Sequence, residues 1–383
     1  MTASGPPDAR ARAWQLNAAG RIAGIDLARG LAVIGMLAAH LLWLGDSVVL
    51  SDPSTWSNIA AGRSSILFAT LAGVSLGLLT GGAVPVSADR LALSRRRIAV
   101  RAALLWVLGM LLIATGVPVY VILPAYALLF LLALPALGLA APVLFALAAL
   151  VALVMPFVQV FLDDLAFWTT PLGEGAALAV GWQYPFPVWI CFVLAGLGLA
   201  RADLMRRATQ IGAMVVGGAL AIAAYGSNAV SGFEPGDEWT TYLGAVWTAR
   251  PHSTGLLEVV GSGGLAIAVI GACVLACMWP GRTMSPVGWL ALPIRAVGAM
   301  PLTAYTVQLV AWALIAAVVL GDPSDLAGFR DLDLFWILTA SIVAGATAWA
   351  LLVGRGPLEA ATDRIARTLV PGRPPAGGTS RDR

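Results

Sequence analysis

Polar and apolar residues in this chain are sorted by segment rather than alternated within it. Apolar runs of membrane-crossing length follow one another, and the polar residues collect between them. Ten runs can be marked off, at about 24–44, 59–80, 98–116, 119–137, 139–161, 184–200, 208–225, 256–279, 296–320 and 333–353. An α-helix needs roughly 20 such residues to cross a bilayer. The fourth and fifth are nearly continuous, so their division is open. The sixth is short and begins at Pro185 and Pro187, which leaves a partly re-entrant segment as an alternative. The pattern predicts an all-α, polytopic membrane helix bundle of about ten transmembrane helices.

The first run, RIAGIDLARGLAVIGMLAAHLLWL from Arg21 to Leu44, interrupts its own apolar pattern at Asp26, Arg29 and His40. Ionisable side chains inside a membrane helix are costly and usually mark function. With Val33 and Met36 they fall at steps of three and four, which sets all five on one helix face. Arg29 and His40 lie about 16 Å apart along the axis, close to three turns. The plainer alternative is an interfacial Asp26–Arg29 ion pair and a hydrogen-bonded core histidine.

Composition agrees with the pattern. Of 383 residues, 59% are hydrophobic and 11% charged, against about 25% charged in a soluble domain. All 23 basic residues are arginine, which excludes a lysine nucleophile or Schiff base. Cys191, Cys273 and Cys277 lie in apolar runs with no CxxC and no histidine cluster nearby, so they read as small buried side chains and no metal site is expected. No nucleic-acid partner is expected either. The residues before Arg21 hold no apolar core, and the run after them is too long and too polar for a signal peptide. A flexible tail over 1–20, one transmembrane domain over 21–367 and a disordered tail over 368–383 are therefore expected, with no cleavage.

Arginine placement orients the bundle. With the N-terminus inside, the inner segments hold Arg10, Arg12 and Arg21; Arg90, Arg95, Arg96, Arg97 and Arg101; Arg201, Arg206 and Arg207; Arg282 and Arg295; and six more after Gly354. The outer segments hold Arg250 and Arg330, while acids such as Asp46, Asp163, Glu234, Asp237, Glu238 and Asp325 fall outside. This positive-inside asymmetry predicts both termini in the cytoplasm. It puts Asp26 and Arg29 near the cytoplasmic surface, with His40 in the outer half and Arg63, at the outer start of the second run, at similar depth. Trp43 and Trp56 flank the loop between the two runs as interfacial anchors.

The remaining polar features read as follows. Gly73, Gly77 and Gly81 repeat at i, i+4 and suit close helix packing. The five arginines from Arg90 to Arg101 either anchor the chain to anionic lipid or clamp a polyphosphate. ARPHSTGLLEVVGSGG, with His252 and Glu258, opens the eighth run; its GSGG follows no strand and is not a phosphate loop. Tyr305 and Gln308 (PLTAYTVQ) are polar positions in the ninth run, explained by structural hydrogen bonds unless they serve a site. No internal repeat is visible, which weakens a transporter reading.

Taken in order, RIAGIDLARGLAVIGMLAAH, GRSSILFATLAGVSLG, HSTGLLEVVGSGG, GAMPLTAYTVQ and GPLE resemble a bacterial multi-pass family grouped with heparan-α-glucosaminide N-acetyltransferase in a transmembrane acyltransferase superfamily. The likeness runs from about residue 21 to 367. The arginine and histidine of the first run also resemble the arginine, ten residues, histidine pattern of acyltransferase-3 proteins. That resemblance implies catalytic roles for Arg29 and His40. The Arg90–Arg101 cluster looks like that family's cytoplasmic arginine motif. The lysosomal enzyme's own histidine motif has no counterpart here, so its substrate does not carry over.

The resemblance implies an acyltransferase of the bacterial plasma membrane. Cytosolic acyl-CoA, acetyl-CoA in the simplest case, is held by Arg95, Arg96, Arg97 and Arg101, and its slim pantetheine arm reaches roughly halfway through a hydrocarbon core of about 30 Å. His40 acts as general base on an extracytoplasmic glycan, glycolipid or small amine, assisted by Asp26, Arg29 and Arg63; an acyl-histidine intermediate is the other route. His252, Glu258, Tyr305 and Gln308 are further candidates. A transporter or flippase using Asp26, Arg29 and His40 as a proton or substrate path is the alternative, and a homodimer is left open.

Overall fold

The computed structural model describes residue 16 and residues 21–49, 51–231, 242–278 and 284–372. Glu234, Asp237, Glu238 and Arg282, most of the expected N-terminal tail, and residues 373–383 of the expected C-terminal tail lie outside the described residues. The principal helices are α1 Ala23–Leu41, α2 Arg63–Leu79, α3 Ala88–Ile113, α4 Leu123–Ala133, α5 Ala141–Asp163, α6 Pro171–Val180, α7 Phe186–Arg201, α8 Arg207–Val230, α9 Leu256–Cys277, α10 Leu292–Ala299, α11 Pro301–Val319, α12 Phe335–Leu352 and α13 Pro357–Leu369. No β-strand is formed among the described residues. The protein is an all-α bundle.

Each of the ten apolar runs falls on a helix. By length and composition six of them, α1, α5, α8, α9, α11 and α12, are sufficient to cross a membrane alone. A seventh joins them if the 3-10 turn Pro53–Ala60 and α2, bent by 40° at their junction, form one span. α4 and α7 are shorter apolar helices. α4 ends at Ala133 because Pro135 opens a separate turn, Pro135–Gly138; proline has no N–H to continue the ladder. This break divides the fourth run from the fifth. α3 starts ten residues before its apolar run, since the arginine-rich stretch from Ala88 is a good helix former although too polar for a membrane core. α6 lies between the fifth and sixth apolar runs, opened by Pro171 and capped by Thr170 Oγ1 on the Gly173 N–H at 3.0 Å.

Burial separates the centre from the rim. Of α1's apolar window 67% is buried, against 22% for α5 and α12. Leu150, Leu153, Val215, Ile222, Trp336 and Ile337 stand exposed on the outer helices, an arrangement that suits lipid rather than water.

Lipid-embedded helices gain little from hydrophobic burial against each other, so close backbone approach carries the packing. Such crossings include three pairs of helices. A Cβ on Gly73 would lie 2.0 Å from the Val193 carbonyl oxygen, and one on Gly196 would lie 1.8 Å from that of Thr70, so α2 and α7 need glycine on both sides. Gly217 and Gly264 do the same for α8 and α9. Gly298 brings α10 onto α1, where a Cβ would meet the Asp26 carbonyl at 1.8 Å. Gly77 shares the first crossing, against Ala200. Gly81 does not; it lies past the end of α2 with φ +113°, a conformation that favours glycine.

Arg201, read from the sequence as one inner cation among several, is buried at the end of α7. It donates to the carbonyls of Gly77 (3.1 Å), Thr80 (3.4 Å), Leu137 (2.6 Å) and Gly82, and to Thr80 Oγ1 (2.8 Å). The carbonyls of Gly77 and Thr80 belong to the α2 terminus, where helix acceptors run out of partners.

Candidate functional site

The first turn of α1 carries a buried carboxylate. Asp26 accepts from Arg21 Nε at 3.1 Å and Nη2 at 2.8 Å, and from Arg29 Nη1 at 3.1 Å. Acids are favoured there by the partial positive charge of the helix N-terminus. Arg29 Nη1 also donates to the Gly298 carbonyl at 3.0 Å and Nη2 to Ser75 Oγ at 3.4 Å, tying α1 to α10 and α2.

A cavity of about 500 Å³ opens beside this network. Arg21, Asp26, Arg29, Ser75, Arg355 and Glu359 supply its polar lining; Phe68, Leu105, Tyr126 and Phe130 wall the apolar part, and Tyr305, one turn into α11, lines it as well. Glu359 has a structural task too. It accepts from the N–H groups of Leu302 (2.8 Å) and Thr303 (3.1 Å) and from Thr303 Oγ1 (2.6 Å), capping α11 from the first turn of α13. The GPLE motif is this cap.

His40 stands in the last turn of α1. Its Nδ1 is 2.8 Å from Nε2 of Gln308, which is fully buried on α11. The Tyr305 ring lies 6.4 Å from the imidazole, so one tyrosine lines the cavity and flanks the histidine. Arg330 closes the helix end, donating to the carbonyls of His40 (3.1 Å) and Ala39 (3.2 Å) with its guanidinium 4.9 Å from the Trp43 ring. Cations at a helix C-terminus satisfy its last acceptors.

A second buried polar cluster is built around the start of α9. Glu258 reaches back to the N–H groups of His252 (2.6 Å) and Thr254 (2.7 Å) and accepts from Ser253 Oγ (3.2 Å). These donors precede the N-cap Gly255, so Glu258 braces the turn ahead of α9 rather than the N-cap itself. It holds a turn in which His252 and Thr254 adopt φ of 62° and 54°. Burial lowers the His252 imidazole below its ordinary value, and its ring meets Tyr184 edge-on at 5.9 Å. Arg63 donates to Tyr225 Oη at 2.9 Å and to the Asn58 carbonyl at 3.1 Å, and Tyr225 Oη lies 2.8 Å from Ser262 Oγ. Arg63 thus joins this cluster; Gln308 and Tyr305 are the neighbours of His40. Arg330 and the His252 imidazole both lie within electrostatic reach of His40, so the two polar groups lie in one region of the bundle.

The arginines of α3 serve docking. Arg95 donates to the carbonyls of Leu134 (2.9 Å) and Pro135 (3.4 Å), Arg97 to that of Val370 (3.0 Å), and Arg101 pairs with Asp363. Arg96 is exposed. None of the four lines the 500 Å³ cavity; its arginines are Arg21, Arg29 and Arg355. Asp363 links the two sets, because it also binds Arg355 at 2.7 Å and Arg367 at 3.0 Å. Burial alone raises the Asp363 carboxyl, but the hydrogen bonds from Arg355 and Arg367 and the charges of Arg355 and Arg101 outweigh it and hold it at about 2.

Asp26 is therefore brought together with Arg29, and His40 with Gln308 and Tyr305, and the cavity extends from the first set to Tyr305. Ser75, Tyr126, Tyr184, Tyr225, Ser262 and Asp363 escaped sequence reasoning; a serine or tyrosine in an apolar run carries no spacing signal. Among the described residues no group of His, Cys, Asp and Glu could hold a metal ion.

Residues 21–227 match the family described as heparan-alpha-glucosaminide N-acetyltransferase, catalytic. The matched stretch contains α1 to α7 and most of α8, hence Asp26, Arg29, His40 and Arg63. No curated protein matches, and no solved structure matches.

Proposed function

Because this chain belongs to the heparan-alpha-glucosaminide N-acetyltransferase catalytic-domain family, we propose that it moves an acyl group, acetyl in the simplest case, from acyl-CoA to a hydroxyl or amine presented from the far side of a cell membrane. The supporting observation is one cavity whose polar lining holds Arg21, Arg29 and Arg355 and whose wall includes Tyr305, the neighbour of His40. The arginine asymmetry supports a reading with the cationic end in the cytoplasm, ten crossings and both termini inside.

In this reading the guanidiniums of Arg21 and Arg355 hold CoA phosphates, for which arginine's planar donor fork is suited. The pantetheine arm follows the apolar wall, and the thioester stops near Tyr305. Gln308 Nε2 lies against Nδ1 and orients the ring; in the reacting form the amide is turned over, so that its oxygen accepts from Nδ1–H and Nε2 of His40 is left as the base. The acceptor oxygen or nitrogen attacks the thioester carbon while Nε2 takes its proton. The C–O or C–N bond forms, the C–S bond breaks, and the imidazolium returns the proton to the leaving thiolate, so CoA departs as the thiol. Tyr305 is placed to donate to the carbonyl oxygen as charge develops on it. Arg29, locked on Asp26, fixes the start of α1 and so the register of His40.

General-base removal slows a reaction by roughly 100- to 10,000-fold. His40→Ala and His40→Gln, assayed by CoA thiol release and acetyl incorporation, should both fall in that range while inserting normally. Parental rates in either variant would overturn the mechanism.

A further inference from the structure

A second cavity, about 640 Å³, lies between α5, α7, α8 and α9. Its lining is apolar apart from Thr70 and Thr209. Both hydroxyls are already spent, on the carbonyls of Ile66 (3.0 Å) and Ala202 (2.7 Å). Nothing in it is offered to a polar ligand.

Its length follows the helix axes. It is lined from Cys191 on α7 to Ala202, just past the end of that helix, and from Thr209 to Leu220 on α8, in each case a rise of roughly 16 Å. That is about half of a 30 Å hydrocarbon core, the reach of one leaflet. The cavity lies between α5 and α8, whose apolar windows are only 22% and 28% buried, so a hydrocarbon chain could enter sideways from the bilayer without crossing water.

One end is polar. Tyr225 stands one turn past Leu220 on α8, and Ser262 sits between the lining residues Val260 and Gly263 on α9; the two are joined at 2.8 Å and Tyr225 is held by Arg63. An aromatic ladder also connects the cavity to the histidine region: Phe192 lines it, and Phe192–Trp189, Trp189–Tyr184 and Tyr184–His252 meet edge-on at 5.5, 5.0 and 5.9 Å.

We infer that the acceptor is lipid-linked: its hydrocarbon tail occupies the cavity between α5, α7, α8 and α9, and its polar head lies at Arg63, Tyr225 and Ser262, presenting a hydroxyl or amine toward His40. This rests on the acyl-transfer reading above and narrows its acceptor to a molecule that stays in the membrane. The head gains the acyl group, the proton passes by His40 to the thiolate, and the tail remains seated throughout.

Gly212 gives a clean test, because it lines the cavity and a Cβ there meets nothing within 4 Å. The full chain, reconstituted in phosphatidylcholine vesicles, is given acetyl-CoA and either glucosamine or decyl glucosaminide, the same head with and without a tail. In the parental protein kcat/KM for the tailed probe exceeds that for free glucosamine. Gly212→Phe fills the cavity, and the ratio of the two kcat/KM values falls about tenfold as the tail loses its packing contacts. Val216→Trp, from the same wall, reproduces the fall, and Gly212→Ala keeps the parental ratio. A diazirine at mid-chain labels the α7 and α8 segments that line the cavity. An unchanged ratio in both bulky variants, or label confined to other helices, overturns the inference while acyl transfer stands. A parental protein that acetylates neither probe and consumes no thioester overturns the acyl-transfer reading itself.

Discussion

Asp363 forms ion pairs with three arginines, and replacing it with asparagine has a calculable effect. Its side chain is 8% exposed and meets Arg101 of α3, Arg355 and Arg367. The native carboxyl sits at about 2 against an ordinary 3.8. The difference corresponds to roughly 2 to 3 kcal/mol of stability at neutral pH. Breaking a buried ion pair costs about 3–5 kcal/mol, but the arginine side chains here are 23%, 52% and 64% exposed. Water recovers part of their charge, which keeps the effect at the lower figure. The folded chain binds fewer protons than the unfolded one, so this stabilisation is fully present above the unfolded value and disappears as pH falls through the folded value. Asp363→Asn should therefore lower the unfolding free energy in detergent by roughly 2 kcal/mol at pH 7. The gap between parent and variant should hold down to about pH 5 and narrow steadily toward pH 2. Because α13 also brings Glu359 to the cavity mouth beside Arg355, acetyl-CoA affinity should fall with it. No gap at pH 7, or a gap that does not change with pH, would refute the assignment of stability to this carboxylate.

Two further outcomes follow from the arginines. Arg21→Gln with Arg355→Gln should weaken acetyl-CoA binding about tenfold or more, by loss of charge-assisted contacts, as read by isothermal titration. Arg95→Gln and Arg97→Gln should chiefly lower the melting temperature, since those guanidiniums are committed to Leu134 and Val370; the reverse pattern would return the phosphate site to α3. For topology, single cysteines introduced at positions 90, 204 and 285 should react only from the cytoplasm, and those at 52, 170 and 326 only from outside. Any exchange between the two sets would remove the sidedness of His40.

What the sequence determined by itself was the membrane class, the helical positions and the chemistry of α1. Those are one-dimensional properties: apolar run length, arginine counts between runs, and the 3.6-residue period that sets Asp26, Arg29 and His40 on one face. The helix-packing role of Gly73 and Gly77 was legible for the same reason, since their spacing equals one turn. Tertiary structure decided everything that depends on which helices meet. Arg63 belongs with Tyr225 and Ser262, 162 and 199 positions away in the chain, and no local pattern announces that. Gln308 and Tyr305 flank His40 because α11 docks on α1. Arg95, Arg97 and Arg101 looked like a free cationic patch in the sequence, yet they are held on carbonyls and on Asp363 away from the cavity, while Arg355, one of six arginines near the C-terminus, shares Asp363 with Arg101 and also lines the cavity. Charge can be counted along a chain, but whether a charge is available to a ligand depends on the acceptors that folding brings within 3 Å of it, and those come from distant segments.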